Sequence, residues 1–407
     1  MDIVERFLNY TKFNTTTNKE NGLKGVMPSN PTEYELALFL KEELSSLGIK
    51  DIILQDNAIL IAKIPANCEN TPSIAFFGHL DTSSEQKNDT KAKIVKYTGG
   101  DICLHEEQGI YLKFSDNPEL KKYVGDDIVV TDGTSLLGAD DKAAIASIVN
   151  MASYFMQNPD IKHGKIVICF VPDEEQGLLG AKALDVNLLG ADFGYCLDCC
   201  EIGELIYENW NAADCTMVFK GVSAHPMNAK GKLVNSLLLA HKFISLLPGG
   251  EVPECTEGKE GYFWVKELSG NSAKTTLKID IREFDEVKFQ KRLEFLSDMA
   301  NSFNKIYGER CEITLKTRYE NVFKFLKDEN SLPIKLAKDA FSELNITPNI
   351  KPMRGGYDGA VISAKGVPTL NLFTGANNFH SVFEYLPVSS LKAASEVIKK
   401  IVINAAK

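Results

Sequence analysis

The sequence predicts an α/β fold: a mostly parallel-sheet domain interrupted by an inserted ferredoxin-like α+β domain. Three observations carry this reading. Strand and helix patterns alternate from Glu33 to Leu197, the order changes to β-α-β-β-α-β beyond Ile206, and strand and helix patterns return after Thr317. A chain of 407 residues suffices for two or three domains of about 100–200 residues each.

The opening residues, MDIVERFLNYTKFN, alternate apolar and charged side chains at helical spacing. Over 33–47, Leu36, Leu38, Leu40 and Leu47 stand among Lys and Glu as an amphipathic helix, and 73–77 reads as a short buried strand that stops at Gly78. Residues 140–154 form a strong helix pattern in which Ala143, Ala144, Ile145, Ile148, Val149 and Met151 fall close together. Residues 165–171 are a β-branched and aromatic run closed by Pro172, and 193–197 is a weaker strand. Helix-covered parallel sheets of this kind hold their ligands at the carboxyl ends of the strands. The inserted run consists of a strand (213–219), a helix (234–247), two strands (262–268 and 274–281), a helix (286–307) and a strand (311–317). A helix at 332–344, a strand at 370–373 and a closing amphipathic helix at 389–405 complete the parent domain. The expected boundaries are therefore 1–207 with 318–407 for the split parent domain, and 208–317 for the insert.

Composition excludes several classes of function. Lys and Arg number 45 against 55 Asp and Glu, a net charge of −10, and no basic run offers itself to phosphates, which argues against nucleic-acid binding. The most apolar windows, 166–172 and 237–247, fall short of the ~20 residues that a membrane-spanning helix needs. The first residues lack the unbroken apolar stretch of a secretory signal, so a cytoplasmic location is expected. Nine cysteines, scattered from Cys68 to Cys311, fit free thiols in a reducing compartment.

Chemistry concentrates in five short stretches at or just beyond strand ends: Gly78-His-Leu-Asp-Thr82, Gly138-Ala-Asp-Asp-Lys142, Pro172-Asp-Glu-Glu-Gln176, Cys196-Leu-Asp-Cys199 and Phe379-His380. Together they provide imidazole and carboxylate, a ligand set suited to zinc or a neighbouring divalent ion. In a strand, His79 and Asp81 face the same side, so the carboxylate can hold the imidazole while its other nitrogen binds metal. The adjacent Glu174 and Glu175 project differently, so one can ligate metal and the other act as general base. Asp140 opens a helix, where a carboxylate can bridge two ions or simply cap the helix, and Asp198 and His380 add one ligand to each ion. Taken singly, each residue has a plainer role as a cap, a turn or a solvated acid. Taken jointly, so many carboxylates in one place would repel one another without cations.

The order and context of these residues resemble the M20 co-catalytic metallopeptidases, on the tripeptide-aminopeptidase side of that family. The resemblance runs essentially end to end, through ERFLNYTKFNT, GHLDTS, YTGGDI, TDGTSLLGADDKAA, FVPDEEQG, IGELIYENWNAA, SAHPMNAKGKLVNSLLLA, RGGYDGA and NLFTGANNFH. It implies two zinc ions per subunit, with cobalt or manganese as alternatives: one held by His79, Asp140 and Asp198, the other by Asp140, Glu175 and His380, with Asp140 as the bridge. It further implies that Asp81 orients His79, that Glu174 takes a proton from the attacking water and delivers it to the leaving amine, and that the Asp140-Asp141 peptide is cis. The insert becomes a lid that supports a homodimer and provides His225 for the oxyanion, while Arg282 and Arg354 grip the substrate carboxylate. The chain departs from the family pattern at Cys199-Cys200-Glu201, at the Cys196/Cys199 pair, at Tyr357 where Thr is usual, and at Met227 where Gly is usual.

The function expected is removal of the N-terminal residue from short peptides, preferentially tripeptides, by a di-zinc aminopeptidase that takes no nucleic-acid or membrane partner. Its rivals are another M20 amidohydrolase (a dipeptidase, an N-acyl amino acid deacylase or a carboxypeptidase) and a non-catalytic metal-binding scaffold.

Overall fold

Four strands running in the same direction form the centre of the larger sheet: Ile166–Val171, Ile74–His79, Phe193–Cys199 and Thr369–Phe373. The computed structural model in which they are seen describes residues 1–87 and 89–407. Every position of Ile74–His79 and Ile166–Val171 is buried, as expected of parallel strands covered on both faces. Antiparallel strands flank this centre. Leu60–Ile64 and then Asp51–Leu54 extend one edge, and Glu204–Ile206, followed by Asn349–Ile350, extends the other, giving eight strands in all.

The Ala139–Gln157 helix packs against the Ile74–His79 strand and carries the first helix, Ile3–Tyr10, and the last, Val388–Asn404. It is apolar nearly all round, and such a helix has to be buried. The sequence pattern starts this helix at Asp140, but Asp140 (φ −81°, ψ 99°) and Asp141 (φ −122°, ψ 24°) are not helical, and their peptide is cis. The regular helix follows them. Gly138 precedes at φ 74°, a left-handed conformation that glycine adopts without steric cost.

Residues 93–130 form strands that the sequence pattern did not single out. Lys93–Lys96, Asp127–Val130 and Leu386–Pro387 make a three-stranded sheet, and Ile102–His105 pairs with Ile110–Leu112. Tyr97, Leu104, Tyr123 and Tyr385 are part of the small core beneath them. Strands of two to four residues are too short to show a period.

The chain divides into two compact units, one of residues 1–207, 325–351 and 357–407, the other of residues 208–324 and 352–356. The second unit is an antiparallel sheet in the order Tyr262–Gly270, Lys274–Glu283, Asn211–Lys220, Cys311–Tyr319. With the Ser236–Ile244 and Glu286–Tyr307 helices, this is the β-α-β-β-α-β arrangement of ferredoxin-like domains. Ala213, Cys215, Met217 and Phe219 alternate into its core, where Phe219, Phe243 and Phe303 make three ring contacts, each with centroids 5.7 Å apart. Such contacts add about 0.5–1.5 kcal/mol each beyond area burial.

The second unit runs past the boundary expected at 317, because three asparagines stitch its entry to its exit. Asn209 N–H donates to Asn321 Oδ1 (3.1 Å), Asn321 N–H to Asn211 Oδ1 (2.8 Å) and Val322 N–H to Asn209 Oδ1 (2.9 Å). Residues 352–356 join it through the Met353 N–H, which donates to Glu208 O at 2.9 Å. Among the described residues, no helix is long and apolar enough to cross a membrane, and all nine cysteines are free thiols.

Candidate metal centre

The carboxyl ends of the parallel strands converge on two groups of side chains. His79, Asp140, Asp141 and Asp198 offer ligand atoms within 4.8 Å of one another, and so do Asp140, Glu175 and His380. Asp140 belongs to both. Its Oδ1 lies 2.9 Å from His79 Nε2 and its Oδ2 lies 3.2 Å from His380 Nε2, while Glu175 Oε1 lies 2.7 Å from the same His380 nitrogen.

This arrangement fits a cation at each group. His79 Nδ1 lies 3.0 Å from the Asp81 carbonyl oxygen, which can only accept, so Nδ1 carries the hydrogen. Nε2 of a neutral ring then turns a lone pair toward a carboxylate oxygen of Asp140, and two acceptors face each other. A proton or a metal ion has to lie between them. At His380, one ring nitrogen faces two carboxylate oxygens, more than one hydrogen can satisfy.

Protonation without metal follows the same logic. Burial pulls the His79 imidazole down, but its hydrogen bonds to Asp140 and Asp81 outweigh that and hold it well above the ordinary histidine range. Hydrogen bonds to Asp140 and Glu175 raise His380 to about 11. Burial, followed by the charge of Asp140, pushes Asp198 well up, and burial also raises Glu175. Without a cation, protons have to supply the positive charge that this carboxylate cluster requires.

Asp81 holds the centre together differently from the shared strand face expected, because the strand ends at His79 and Asp81 lies beyond it. Its backbone carbonyl orients His79, with its carboxylate further away at 3.3 Å. The same carboxylate accepts Thr17 Oγ1–H (2.6 Å) and the backbone N–H groups of Glu174 (2.9 Å) and Glu175 (3.0 Å). Burial alone would raise Asp81, yet the hydrogen bonds, led by that of His79, keep it below its usual range and therefore ionised.

Other contacts fix the remaining loops. Glu384, fully buried, accepts N–H groups from Leu137 (3.1 Å), Gly138 (2.7 Å) and Asp140 (3.0 Å), tying the loop that carries His380 to the one that carries Asp140. Asn371, on the neighbouring strand, holds the Asp198 backbone at both N–H (2.8 Å) and C=O (3.2 Å). Asp141 Oδ2 accepts the His79 N–H at 3.0 Å and would lie 3.1 Å from a Cβ added at Gly78, so a side chain there would crowd it. Spacing in the sequence drew attention to Asp141 as an acid but not to Asn371, and Glu384 stands at the spacing after His380 that the family resemblance expects, although its binding to backbone N–H groups is visible only in the fold.

Glu174 belongs to neither group, and burial, followed by the charge of Asp198, pushes its carboxyl well above the ordinary range. His225, Arg282 and Arg354 lie in the second unit. His225 is exposed in a turn, its Nδ1 accepting Met227 N–H at 3.2 Å. Arg282 is buried and committed within the unit, donating to Asp280 Oδ2 (3.0 Å) and Ile281 O (2.9 Å), which is a structural ion pair rather than an open fork. Arg354 lies over the Trp210 ring at 4.6 Å and donates one N–H to Thr256 O at 3.1 Å. Tyr357 is core, its hydroxyl donating to Thr369 O at 2.9 Å, whereas Met227 is 80% exposed. Cys196 and Cys199 are buried thiols that belong to neither metal-binding group.

Fold and site together define a metal-dependent hydrolase. The family model for Peptidase family M20/M25/M40 matches residues 136–404, and the one for Peptidase family M28 matches residues 60–187. Peptidase T of Clostridium perfringens is 43% identical over 402 residues, covering 98% of this chain and 97% of the relative. A peptidase T-like protein of Yersinia pestis is 40% identical over 407 residues, covering 100% of this chain and 98% of the relative. Among solved structures, aminopeptidase PepT from Bacillus cereus has a TM-score of 0.79 at 24% identity, covering 100% of this chain and 98% of its own. The Bacillus subtilis YXEP protein, a dinuclear metal binding peptidase from the M20 family, has a TM-score of 0.68 at 15% identity, covering 99% of this chain and 98% of its own. These two likenesses concern the fold. The chain belongs to peptidase family M20/M25/M40 and, within it, to the peptidase T branch, a metallo-aminopeptidase class.

Proposed function

We propose that this protein is a di-zinc aminopeptidase that removes the N-terminal residue from short peptides, tripeptides above all. The observation that carries the proposal is Asp140, one carboxylate common to two imidazole–carboxylate groups. His79, Asp140 and Asp198 would hold one ion and Asp140, Glu175 and His380 the other, and this donor set suits zinc, with cobalt or manganese as alternatives. Ions bound there would supply Lewis-acid polarisation of the scissile carbonyl and a lowered pKa for water.

The side chains do the rest. Glu174, anchored through its N–H to Asp81, accepts a proton from the attacking water and returns it to the departing amine. On the family resemblance, His225 helps to hold the oxyanion, and Arg282 and Arg354 bind the substrate carboxylate; the engagement of Arg282 with Asp280 and Ile281 favours Arg354 for that role. The reading includes a homodimer formed through the second unit as lid, and a cytoplasmic location in keeping with nine free thiols.

One substrate series tests the proposal: a dipeptide, a tripeptide and a tetrapeptide sharing an N-terminal residue, together with the N-acetylated tripeptide, given to zinc-loaded protein. The tripeptide is expected to be cleaved fastest and the acetylated form not at all. Preference for the acetylated form would make the protein a deacylase, and preference for the dipeptide a dipeptidase.

A further inference from the structure

Three consecutive backbone N–H groups, those of Asp173, Glu174 and Glu175, end on two buried carboxyls. Glu174 and Glu175 donate to Asp81, and Asp173 donates to Glu33 Oε2 at 3.1 Å. Glu33 lies 140 residues earlier in the chain, in the first turn of the Pro31–Ser46 helix, and has no exposed surface. Its other oxygen accepts the Asn30 N–H at 3.2 Å and completes the capping box of that helix. Capping needs only this one oxygen. The second reaches the turn that carries the proposed base and a proposed metal ligand.

That turn needs holding. Asp173 is fully buried at φ 56°, a left-handed conformation that non-glycine residues adopt only where the surroundings impose it. Its Oδ2 accepts the Ser29 N–H at 2.8 Å, so the entry to the Pro31–Ser46 helix grips Asp173 from both its amide and its carboxylate. We propose that Glu33 is a positioning residue of the reaction: by bridging the helix entry at Asn30 to the Asp173 amide, it sets the place of Glu174 and Glu175. The proposal rests on the peptidase reading above. Glu33 and Asp81 are compatible in one interior because they differ in charge. Burial, followed by the charges of Asp81 and Asp173, pushes Glu33 up to about 10, so it sits there neutral beside an ionised Asp81.

The test compares Glu33→Ala, Glu33→Gln and, as a control in the same helix, Leu40→Ala, each measured as folded, metal-loaded protein. Displacement of a catalytic group by about 1 Å costs roughly 100-fold, so Glu33→Ala is expected to lower kcat by about that factor with little change in KM. Glu33→Gln, equal in length but with a single oxygen acceptor, can keep only one of the two backbone bonds and should recover part of the loss. Leu40→Ala should lower Tm and leave kcat unchanged. A second readout is independent of turnover: because Glu175 rides on the same turn, a chelator should strip one ion from Glu33→Ala earlier than from the parent protein. If Glu33→Ala fails to fold, Glu33→Asp, one methylene shorter, takes its place with the same expectations. A lowered Tm with unchanged kcat and unchanged metal release would make Glu33 a helix cap only and overturn the proposal. If the parent protein cleaves no peptide, the peptidase reading fails, and the chelator titration alone decides the role of Glu33: earlier release supports it and unchanged release overturns it.

Discussion

Glu174→Ala protein is expected to keep its metal and lose turnover by about 10²–10⁴-fold, the usual contribution of a general base. The two effects separate because Glu174 stands outside both ligand groups, while its attachment to Asp81 runs through the backbone N–H and survives truncation of the side chain. The neighbouring Glu175 N–H makes the same kind of bond to Asp81, so the turn as a whole stays in place. Metal content and kcat measured on one preparation check both parts. Unchanged kcat would remove Glu174 from the chemistry, and loss of metal together with activity would make it a ligand.

Asp140→Ala should empty both sites at once. Each oxygen of Asp140 meets a different imidazole, His79 on one side and His380 on the other, and among the described residues no other side chain is common to the two groups. Removing it also leaves His79 and His380 without their shared anionic partner. Metal content is expected to fall from the proposed two ions per chain toward none. Turnover should fall by about 10³-fold or more, since the lost charge stabilisation amounts to several kcal/mol. Asp198→Ala, which touches one group only, should lose one ion. Equal metal content in Asp140→Ala and the parent protein would contradict a shared carboxylate.

Much of the architecture is legible in residue order. The Glu286–Tyr307 helix begins and ends where the pattern places it, because Asp285 caps its start through the Lys288 N–H and Gly308 ends it at φ 81°. The Ile166–Val171 strand is marked by an unbroken apolar run and by Pro172. Short polar stretches near the ends of apolar ones single out a wider pool of acids and imidazoles, Asp81, Asp141, Asp173 and Glu174 among them; the family resemblance narrows it to His79, Asp140, Glu175, Asp198 and His380, and the structure brings these five together with Asp141.

Less legible is whatever depends on the backbone. The departure of Asp140 and Asp141 from helical geometry is invisible in a pattern that counts only apolar spacing. Glu33 reads as one more charge on an amphipathic helix, yet it is buried and bound to an amide far away in sequence. Arg282 reads as an available guanidinium at a strand end, and only the fold reveals that Asp280, two residues before it, already occupies it.

The most direct test of the account is product identification after zinc-loaded protein acts on a tripeptide of three different residues. The account predicts the free N-terminal residue and the remaining dipeptide as first products. Release of the C-terminal residue, or of both bonds' products in equal amounts from the start, would contradict an aminopeptidase.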